Sequence, residues 1–315
     1  MSTPRVKVLV TGGGGLVGSA LRRAPKAWQY IFVSSKDGDL RDHAACRALF
    51  DKHRPDAVVH LAACVGGLFR NMAQKVRMLE DNARLNLNVV SCAHAAGVRR
   101  LVACLSTCVF PDGAATPISE GDLHKGPPHH SNDAYAYAKR LLEVQCRAYR
   151  EAHGVDYICA VPTNIYGIHD NFSLSDGHVI PALIHRCFLA RRDGADFVVA
   201  GTGRPVRQFI LSDDLARFMV WLLETYRGPQ ATFILAPSPG DEVSIADIST
   251  MIARCFDYED RLVFDTSRAD GQLRKTADNA RLRAAYGREL DLVPLETGIR
   301  NVVQWFCAHH DGARV

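Results

Sequence analysis

The sequence lacks the features that mark membrane, secreted and metal-binding proteins. No stretch approaches the roughly eighteen consecutive apolar residues of a spanning helix, and one short basic stretch leads straight into a strand, so neither a membrane span nor a signal peptide is expected. The ten cysteines include no C-x-x-C pair and are scattered from Cys46 to Cys307, which argues against a zinc or disulfide framework and indicates a reducing compartment. We therefore expect a cytoplasmic protein. The C-terminal Ala313-Arg314-Val315 loosely resembles a peroxisomal address and leaves such an organelle as an alternative.

An excess of charge of one sign is also missing. The 38 basic and 34 acidic residues leave a net charge of +4, which is too weak to predict nucleic acid as a partner, although a local pocket for an anionic ligand stays open. Internal repeats, low-complexity tracts and long linkers are absent as well. With 315 residues, 47% hydrophobic and 23% charged, the chain has a globular composition and room for two compact units.

Short apolar runs alternate with stretches of helical spacing in the first half of the chain. Strands are predicted at 8–10, 30–33, 57–60, 100–105 and 157–161, and helices between them at 43–53 and 136–149. This alternation predicts an α/β fold with a doubly wound parallel sheet. We expect residues 1–162 to form this unit, with later segments returning to it.

Residues 163–315 are predicted to form mainly a smaller α/β lobe that binds substrate. A helix at 180–191, a strand at 197–199 and helices at 214–226 and 245–256 are expected there. Because ligands of open α/β sheets bind at the carboxyl ends of the strands, we expect the site in the cleft between the two lobes.

A glycine-rich turn separates the first strand from the first helix. Gly12, Gly15 and Gly18 form G-x-x-G-x-x-G, in which small residues let a pyrophosphate approach the helix N-terminus. The turn predicts a Rossmann-type dinucleotide site, to which Leu16 and Val17 also belong. A glycine-rich turn without a ligand is the alternative.

The end of the second strand indicates which dinucleotide binds. It reads Val33-Ser34-Ser35-Lys36, without the carboxylate that would bind the ribose 2′-hydroxyl of NAD. The hydroxyl of Ser35 and the ammonium of Lys36 suit a 2′-phosphate, so NADP(H) is predicted over NAD(H). The carboxylates of Asp37 and Asp39 come shortly after Lys36 in the chain and are the argument for NAD. Asp39 and Leu40 are also expected to contact the cofactor.

Tyr135 and Lys139 form a Y-x-x-x-K pair. On a helix this spacing places both side chains on one face, and an adjacent ammonium is expected to lower the pKa of the phenol, which starts near about 10. The pair alone occurs by chance in many helices. Its position after a strand that leads into Ser106-Thr107-Cys108 is what points to a reactive site.

The glycine turn, the serine and the Tyr/Lys pair arrive in the order typical of the extended short-chain dehydrogenase/reductase family, which this chain resembles. In that family the serine and tyrosine bind a substrate carbonyl and the lysine also holds the nicotinamide ribose. The resemblance therefore implies catalytic roles for Ser106, Tyr135 and Lys139. It also implies cofactor contacts at Leu61, Ala62, Ala63, Pro162, Asn164 and Ile165.

Further runs are similar to one group within that family, the GDP-sugar 3,5-epimerase and 4-reductase enzymes, from Arg5 to about Trp305. The runs are Val65-Gly66-Gly67-Leu68-Phe69-Arg70-Asn71, Leu105-Ser106-Thr107-Cys108, Pro162-Thr163-Asn164-Ile165-Tyr166-Gly167, His169-Asp170-Asn171-Phe172 and Gly177-His178-Val179-Ile180-Pro181. The resemblance implies conversion of GDP-4-keto-6-deoxy-D-mannose to GDP-L-fucose. Epimerisation at C3 and C5 through enolates would precede hydride transfer from NADPH to C4.

The same resemblance assigns the proton-transfer groups. Cys108 and His178 would exchange protons with carbon, and His178 would also contact the cofactor. From the residues alone, a small buried side chain is the favoured interpretation of Cys108, and a helix-capping or core histidine is that of His178.

The resemblance also assigns substrate contacts to Arg186, Arg207 and Asp270, together with Ser106 and Asn164. The alternative is that each arginine is a solvated surface charge, an interpretation with more weight for Arg186 than for Arg207. One departure is Ala200, which stands where the family often has a tryptophan before Gly-Thr-Gly. A homodimer formed through two helices is usual for the wider family and is expected here by resemblance.

Two other functions remain open. A nucleotide-sugar 4-epimerase or 4,6-dehydratase would share the glycines and the Tyr/Lys pair, and a non-catalytic NADP-binding regulator would keep the glycine turn. Cys108 and His178 argue against the first, and the complete set of Ser106, Tyr135 and Lys139 argues against the second. No metal site is expected.

Overall fold

The computed structural model of the chain describes residues 6–268, 270 and 272–315. The strands are β1 (Lys7–Thr11), β2 (Gln29–Val33), β3 (Ala57–His60), β4 (Arg100–Cys104), β5 (Asp156–Pro162), β6 (Asn164–Tyr166), β7 (Phe197–Ala200), β8 (Val206–Arg207), β9 (Phe209–Leu211), β10 (Thr232–Leu235), β11 (Val243–Ser244), β12 (Leu262–Asp265) and β13 (Arg274–Lys275). The helices are α1 (Leu16–Arg23), α2 (His43–His53), α3 (Leu68–Ala73), α4 (Lys75–Ala95), α5 (Asp133–His153), α6 (Val179–Asp193), α7 (Ser212–Glu224), α8 (Ile245–Cys255), α9 (Ala280–Tyr286) and α10 (Leu295–His309). In the described part of the chain, no helix combines the length and the apolar character needed to cross a membrane.

A six-stranded sheet forms the centre of the fold, in the order β10-β5-β4-β3-β1-β2. Each neighbouring pair is parallel, with Val10 opposite both Phe32 and Val59. The predicted doubly wound parallel sheet is confirmed. Its strands are continuous apolar runs because both faces are covered: Val8, Leu9 and Val10 are all fully buried.

Helices cover the two faces of the sheet through separate apolar clusters. On one face Leu9 and Val58 pack with Val89 of α4 and Leu142 of α5. On the other face Val8 and Val10 pack with side chains of α1 and α7. The carboxyl ends of β1, β3, β4 and β5 therefore share one edge, from which the loops of the candidate site emerge.

The observed helices agree with the predicted ones to within a few residues at each end. Helix α2 has the predicted bounds, whereas α5 begins three residues earlier and ends four residues later than predicted. Helix α4 was not assigned from the sequence. Its buried face includes Asn82 and Asn86, which interrupt the apolar periodicity that would have revealed it.

The later part of the chain builds a third apolar cluster around α6, α8 and α10. Phe172, Ile184 and Phe306 lie at its centre and are fully buried. Two short sheets flank it, β7 with β12 and β11-β8-β13, while β6 pairs with β9. The pairing of β10 with β5 returns a late segment to the central sheet.

Candidate active site

The glycine turn forms a cradle at the N-terminus of α1. Gly12 has a positive φ of 69°, and a Cβ atom there would lie 2.7 Å from the peptide nitrogen of Ala62. A Cβ on Gly18 would lie 2.7 Å from the carbonyl oxygen of Gly12, whereas one on Gly14 would meet nothing within 4 Å. Gly15 caps α1 without a side-chain hydrogen bond, and the first turn contains no acidic residue. This cradle fits a phosphate, because the first N–H groups of α1 have no side-chain cap and no acidic neighbour in the first turn.

The turn after β2 presents a cation, and its exposed carboxylates form hydrogen bonds within the protein. Ser35 and Lys36 are exposed. The carboxylate of Asp37 accepts hydrogen bonds from the backbone nitrogen (2.8 Å) and hydroxyl (3.0 Å) of Ser34. Hydrogen bonds from Arg41 engage Asp39 and lower the pKa of its carboxyl to about 2. The two carboxylates that argued for NAD are therefore occupied, while Leu40 packs against the core and its carbonyl accepts from Asn88.

A buried polar network joins the edge of β3 to α5. The hydroxyl of Thr11 accepts from the peptide N–H groups of residues 61 and 62 and lies 2.7 Å from Nδ1 of His60. Nε2 of His60 lies 2.9 Å from Oδ1 of Asn86, whose Nδ2 donates to the carbonyl of Ala138. Burial lowers the pKa of His60 to about 3, so the ring is neutral, accepts from Thr11 and donates to Asn86. The loop that contains residues 61–63 is thereby fixed against the helix that carries Tyr135 and Lys139.

Ser106 and Cys108 lie on a 3-10 turn that follows β4. The Ser106 hydroxyl accepts a hydrogen bond from the backbone nitrogen of Cys108 at 3.4 Å. The Cys108 side chain is 7% exposed, and burial raises the pKa of its thiol. The hydrogen bond with Ser106 and the positive fields of Lys275 and Lys139 act in the opposite direction. The thiol therefore lies where two ammonium groups stabilise its anion.

Tyr135 and Lys139 lie on one face of α5, as predicted. Lys139 is 1% exposed, and its Nζ donates to the carbonyl oxygen of Cys104 at 2.7 Å and lies 5.8 Å from the centre of the Tyr135 ring. The expected lowering of the phenol pKa is wrong for this structure. Burial raises the pKa of Tyr135, with a further contribution from the Cys108 thiol, and burial also lowers the pKa of Lys139. Loss of water around the two groups is the largest cause of both shifts.

His178 occupies the N-cap position of α6, where its side chain makes no capping hydrogen bond. The residue is exposed, yet the protein around the ring lowers the pKa of the imidazole by desolvation, with a smaller effect of Arg314. The loop before His178 contacts the run that follows β3, where Gly67 donates its N–H to the carbonyl of Asp176 at 3.2 Å.

Asn164 and its neighbours lie at the end of β5. Pro162 is the last residue of β5 and is buried, and Asn164 begins β6, where its side-chain nitrogen donates to the carbonyl of Gln208 at 2.9 Å. Ile165 packs against the apolar cluster that contains α7. These contacts place residue 164 beside the strand that carries Arg207.

Arg207 and Arg186 have no carboxylate partner among the described residues. The Arg207 guanidinium donates to the carbonyls of Val206 (2.7 Å) and Gln272 (2.6 Å), and burial lowers its pKa. Arg186 makes one long contact, 3.4 Å, to the carbonyl of Val198, and burial lowers its pKa too. Partly buried guanidinium groups without a counter-ion suit an anionic ligand.

Asp270 and Ala200 lie near the turn between β7 and β8. The Asp270 carboxylate accepts from the backbone nitrogen (2.8 Å) and the hydroxyl (2.7 Å) of Thr202. Ala200 is exposed at the end of β7. The sequence prediction missed Lys275, which lies on β13 beside Arg207. Burial lowers the pKa of Lys275, and its positive charge favours the thiolate form of Cys108. Its strand has only two residues, so no periodicity or motif could have revealed it.

Comparison with known proteins identifies the family. The family described as "NAD dependent epimerase/dehydratase family" matches residues 8–236. The chain belongs to this family.

Three relatives show which members of the epimerase/dehydratase family this chain resembles. The GDP-L-fucose synthase of Dictyostelium discoideum is 44% identical over 318 residues, covering 99% of each chain. A probable GDP-L-fucose synthase of Drosophila melanogaster is 44% identical and covers 98% of this chain and 99% of its own length. The crystal structure of a GDP-L-fucose synthetase from Naegleria fowleri bound to NADP has a TM-score of 0.93 at 43% identity, over 99% of this chain and 96% of that one. The resemblance predicted from the motifs is confirmed.

Proposed function

We propose that this chain is a GDP-L-fucose synthase, an NADPH-dependent enzyme that converts GDP-4-keto-6-deoxy-D-mannose to GDP-L-fucose. The observation that carries the proposal is the full-length match to GDP-L-fucose synthases at 44% identity. It is supported by the meeting of Ser106, Cys108, Tyr135 and Lys139 at one edge of the sheet. The reaction combines epimerisation at C3 and C5 with reduction at C4.

The cradle formed by Gly12, Gly15 and Gly18 would hold the diphosphate of NADPH. Exposed Lys36 and Ser35 would contact the 2′-phosphate, since Asp37 and Asp39 are already engaged within the protein. When bound, NADPH supplies the hydride for C4. Lys139, fixed by the carbonyl of Cys104, would hold the ribose next to the reactive ring.

Epimerisation needs groups that stabilise an enolate and groups that exchange protons with carbon. Both C3 and C5 are adjacent to the C4 ketone, so removal of a proton places negative charge on the ketone oxygen. Ser106 and Tyr135 would donate hydrogen bonds to that oxygen. Cys108 and His178 would remove a proton from one face of the sugar and return one to the other.

The raised pKa of Tyr135 suits the reduction step. A phenol whose pKa is raised by burial stays protonated at neutral pH, which is the form that donates a proton to the C4 oxygen. The ammonium of Lys139 on the same helix face would stabilise the phenolate left behind. The pair is therefore arranged for proton donation.

The unpaired guanidinium groups of Arg186 and Arg207 would bind the diphosphate of the GDP-sugar. Asn164 and Asp270 would contribute polar contacts, although Asp270 is held by Thr202 in this structure. Ala200 offers no ring for stacking, so the nucleotide would depend more on the two arginines for its affinity.

Incubation with GDP-4-keto-6-deoxy-D-mannose and NADPH in deuterated water tests this function. We expect GDP-L-fucose with deuterium at C3 and C5, and one NADPH oxidised per product. A 4-epimerase or a 4,6-dehydratase would show no net oxidation of NADPH. NADPH binding without turnover would indicate a regulator instead.

The surface of α4 and α5 supports a homodimer. Apolar side chains stand exposed on both helices, and we propose that a second copy of the chain covers them. These residues are Val76, Leu79, Leu87, Tyr137, Leu141 and Val144. Light scattering should show a dimer that Leu141→Asp converts to a monomer, whereas Leu273→Asp, at an exposed leucine outside these helices, should leave it intact.

We place the protein in the cytoplasm because all ten cysteines are free thiols, as in a reducing compartment. The peroxisomal alternative gains no support, since Arg314 of the C-terminal tripeptide pairs with Asn171. We also retain the division into a cofactor unit (1–162) and a substrate lobe (163–315), with β10 returning to the first.

A further inference from the structure

The loop between β6 and α6 contains a buried carboxyl that the proposed mechanism does not use. Asp170 is 4% exposed, and its Oδ1 accepts from the backbone nitrogen of Asn171 at 2.7 Å. Oδ2 is buried and has no hydrogen-bond partner among the described residues. An unpaired buried carboxylate oxygen is costly, so the group is stabilised either by protonation or by a nearby positive charge.

The C-terminal segment lies against this loop. Arg314 forms a parallel β-bridge with Asn171, and its carbonyl oxygen accepts the N–H of Phe172 at 2.7 Å. The carbonyl of Phe172 accepts from Nδ1 of His185 at 2.8 Å. The Phe172 ring is fully buried and stacks on Phe306 at 4.4 Å. Phe172 is therefore held on three sides, one of which is Arg314.

Hydrogen bonds and close contacts within residues 171–177 link the position of Phe172 to that of His178. Gly177 donates its N–H to the carbonyl of Ser173 at 2.9 Å, and a Cβ on Gly177 would lie only 2.6 Å from the carbonyl oxygen of Asn171. The side-chain nitrogen of Asn171 also reaches the carbonyl of Asp176. A displacement of residues 171–173 would therefore move the start of α6, where His178 lies.

We propose that Arg314 is a positioning residue for His178. The carbonyl of Arg314 fixes the 170–178 loop, and its guanidinium stabilises the buried Asp170. The proposal rests on the proposed function, in which His178 exchanges a proton with the sugar. It needs no contact between Arg314 and the substrate.

The charges around the loop agree with this role. Burial raises the pKa of Asp170 to about 7, while the field of Arg314 opposes that rise. The same guanidinium contributes to the lowered pKa of His178, after desolvation. One cation therefore acts on both ends of the loop.

Hydrogen–deuterium exchange tests the structural claim without reference to activity. In a chain shortened after Gly312, the amides of segment 170–178 should exchange at least about tenfold faster, because Phe172 loses its acceptor. Arg314→Ala keeps the carbonyl and should preserve protection of the Phe172 amide. Unchanged protection in the shortened chain would overturn the proposal whether or not the enzyme turns over.

Deuterium incorporation at C3 and C5 of the keto-sugar tests the catalytic claim on the full protein. We expect at least about a tenfold loss in the shortened chain, since misplacement of a reacting group is severe, and about a threefold loss in Arg314→Ala, from the field of one exposed charge. Arg314→Lys should return the rate to within about twofold of wild type, and NADPH affinity should fall by less than about tenfold in every variant, since at most the one cofactor contact expected of His178 is lost. Arg283→Ala, which removes an exposed arginine on α9, is the matched control and should have no effect.

Wild-type incorporation rates in both the shortened chain and Arg314→Ala would overturn the positioning role. A loss of NADPH affinity of more than about tenfold would also overturn it, because such a loss exceeds the one cofactor contact expected of His178 and would indicate general destabilisation. Absence of incorporation in the wild-type chain would reject the proposed function, and the amide exchange would then still decide whether Arg314 holds the loop.

Discussion

Alanine substitutions at Gly18 and Gly14 should have opposite effects, although both lie in the same turn. A Cβ on Gly18 would lie 2.7 Å from both the carbonyl oxygen of Gly12 and the Cα of Gly13, and 2.8 Å from the carbonyl carbon of Gly13. These are backbone atoms of the cradle and cannot rotate away. Ordinary contacts start near about 3.4 Å, so the turn must move by several tenths of an ångström.

The expected changes in the free energy of unfolding follow from these contacts. Overpacking of this kind costs about 1 to 3 kcal/mol, and the better helix propensity of alanine offsets up to about 1 kcal/mol, so we expect Gly18→Ala to lower the free energy of unfolding by about 1 to 2 kcal/mol. Gly14 has open space and no left-handed φ. Gly14→Ala should therefore stabilise the fold by about 0.4 to 1 kcal/mol through the unfolded chain.

The affinity for NADPH should separate the two variants as well. A displaced cradle loses at least one hydrogen bond to a charged phosphate, worth about 1.5 kcal/mol, so Gly18→Ala should bind NADPH about tenfold more weakly. Urea unfolding followed by circular dichroism and NADPH titration by fluorescence are the measurements. A Gly18→Ala protein with wild-type stability and affinity would refute the close packing of the turn. Weakened binding in Gly14→Ala would show that the open space is filled by the cofactor.

Three further substitutions address the cofactor and the chemistry. Lys36→Ala should weaken the binding of NADPH about fivefold at low salt and that of NADH less than twofold, because only NADPH carries the 2′-phosphate. Equal losses for the two cofactors, or the same effect from Lys52→Ala on α2, would contradict the predicted contact. Tyr135→Phe should lower the rate of NADPH oxidation by a factor of about 10² to 10⁴ and leave NADPH affinity within a few-fold of wild type. Tyr137→Phe, at an exposed position on the same helix, should remain active. Full turnover in Tyr135→Phe would remove Tyr135 from the site. Cys108→Ser should suppress deuterium incorporation at C3 and C5 yet still oxidise some NADPH, giving a C4-reduced product with one or both epimerisations missing; wild-type incorporation would return Cys108 to a packing role.

The sequence by itself determined the features that depend on neighbours in the chain. The apolar runs at 57–60 and 157–161 predicted strands because both faces of a parallel sheet are buried there. The spacing of Tyr135 and Lys139 placed them on one helix face, and the glycines marked the turn where a backbone must come close to a phosphate. Similarity of whole runs then pointed to one group of enzymes, which the full-length relatives confirm.

Only the tertiary structure decided the electrostatics of the site. The Tyr/Lys spacing predicted a lowered phenol pKa, but burial of Tyr135 reverses the direction, since hydration depends on atoms from the whole fold. The burial of Asn82 and Asn86 on α4 was likewise invisible in the chain. The contact of Arg41 with Asp39, in contrast, is local, because the two residues are two positions apart. Lys275 near Cys108 and Arg314 at Phe172 come from segments more than a hundred residues away, and no local pattern records which distant residues the fold brings into contact.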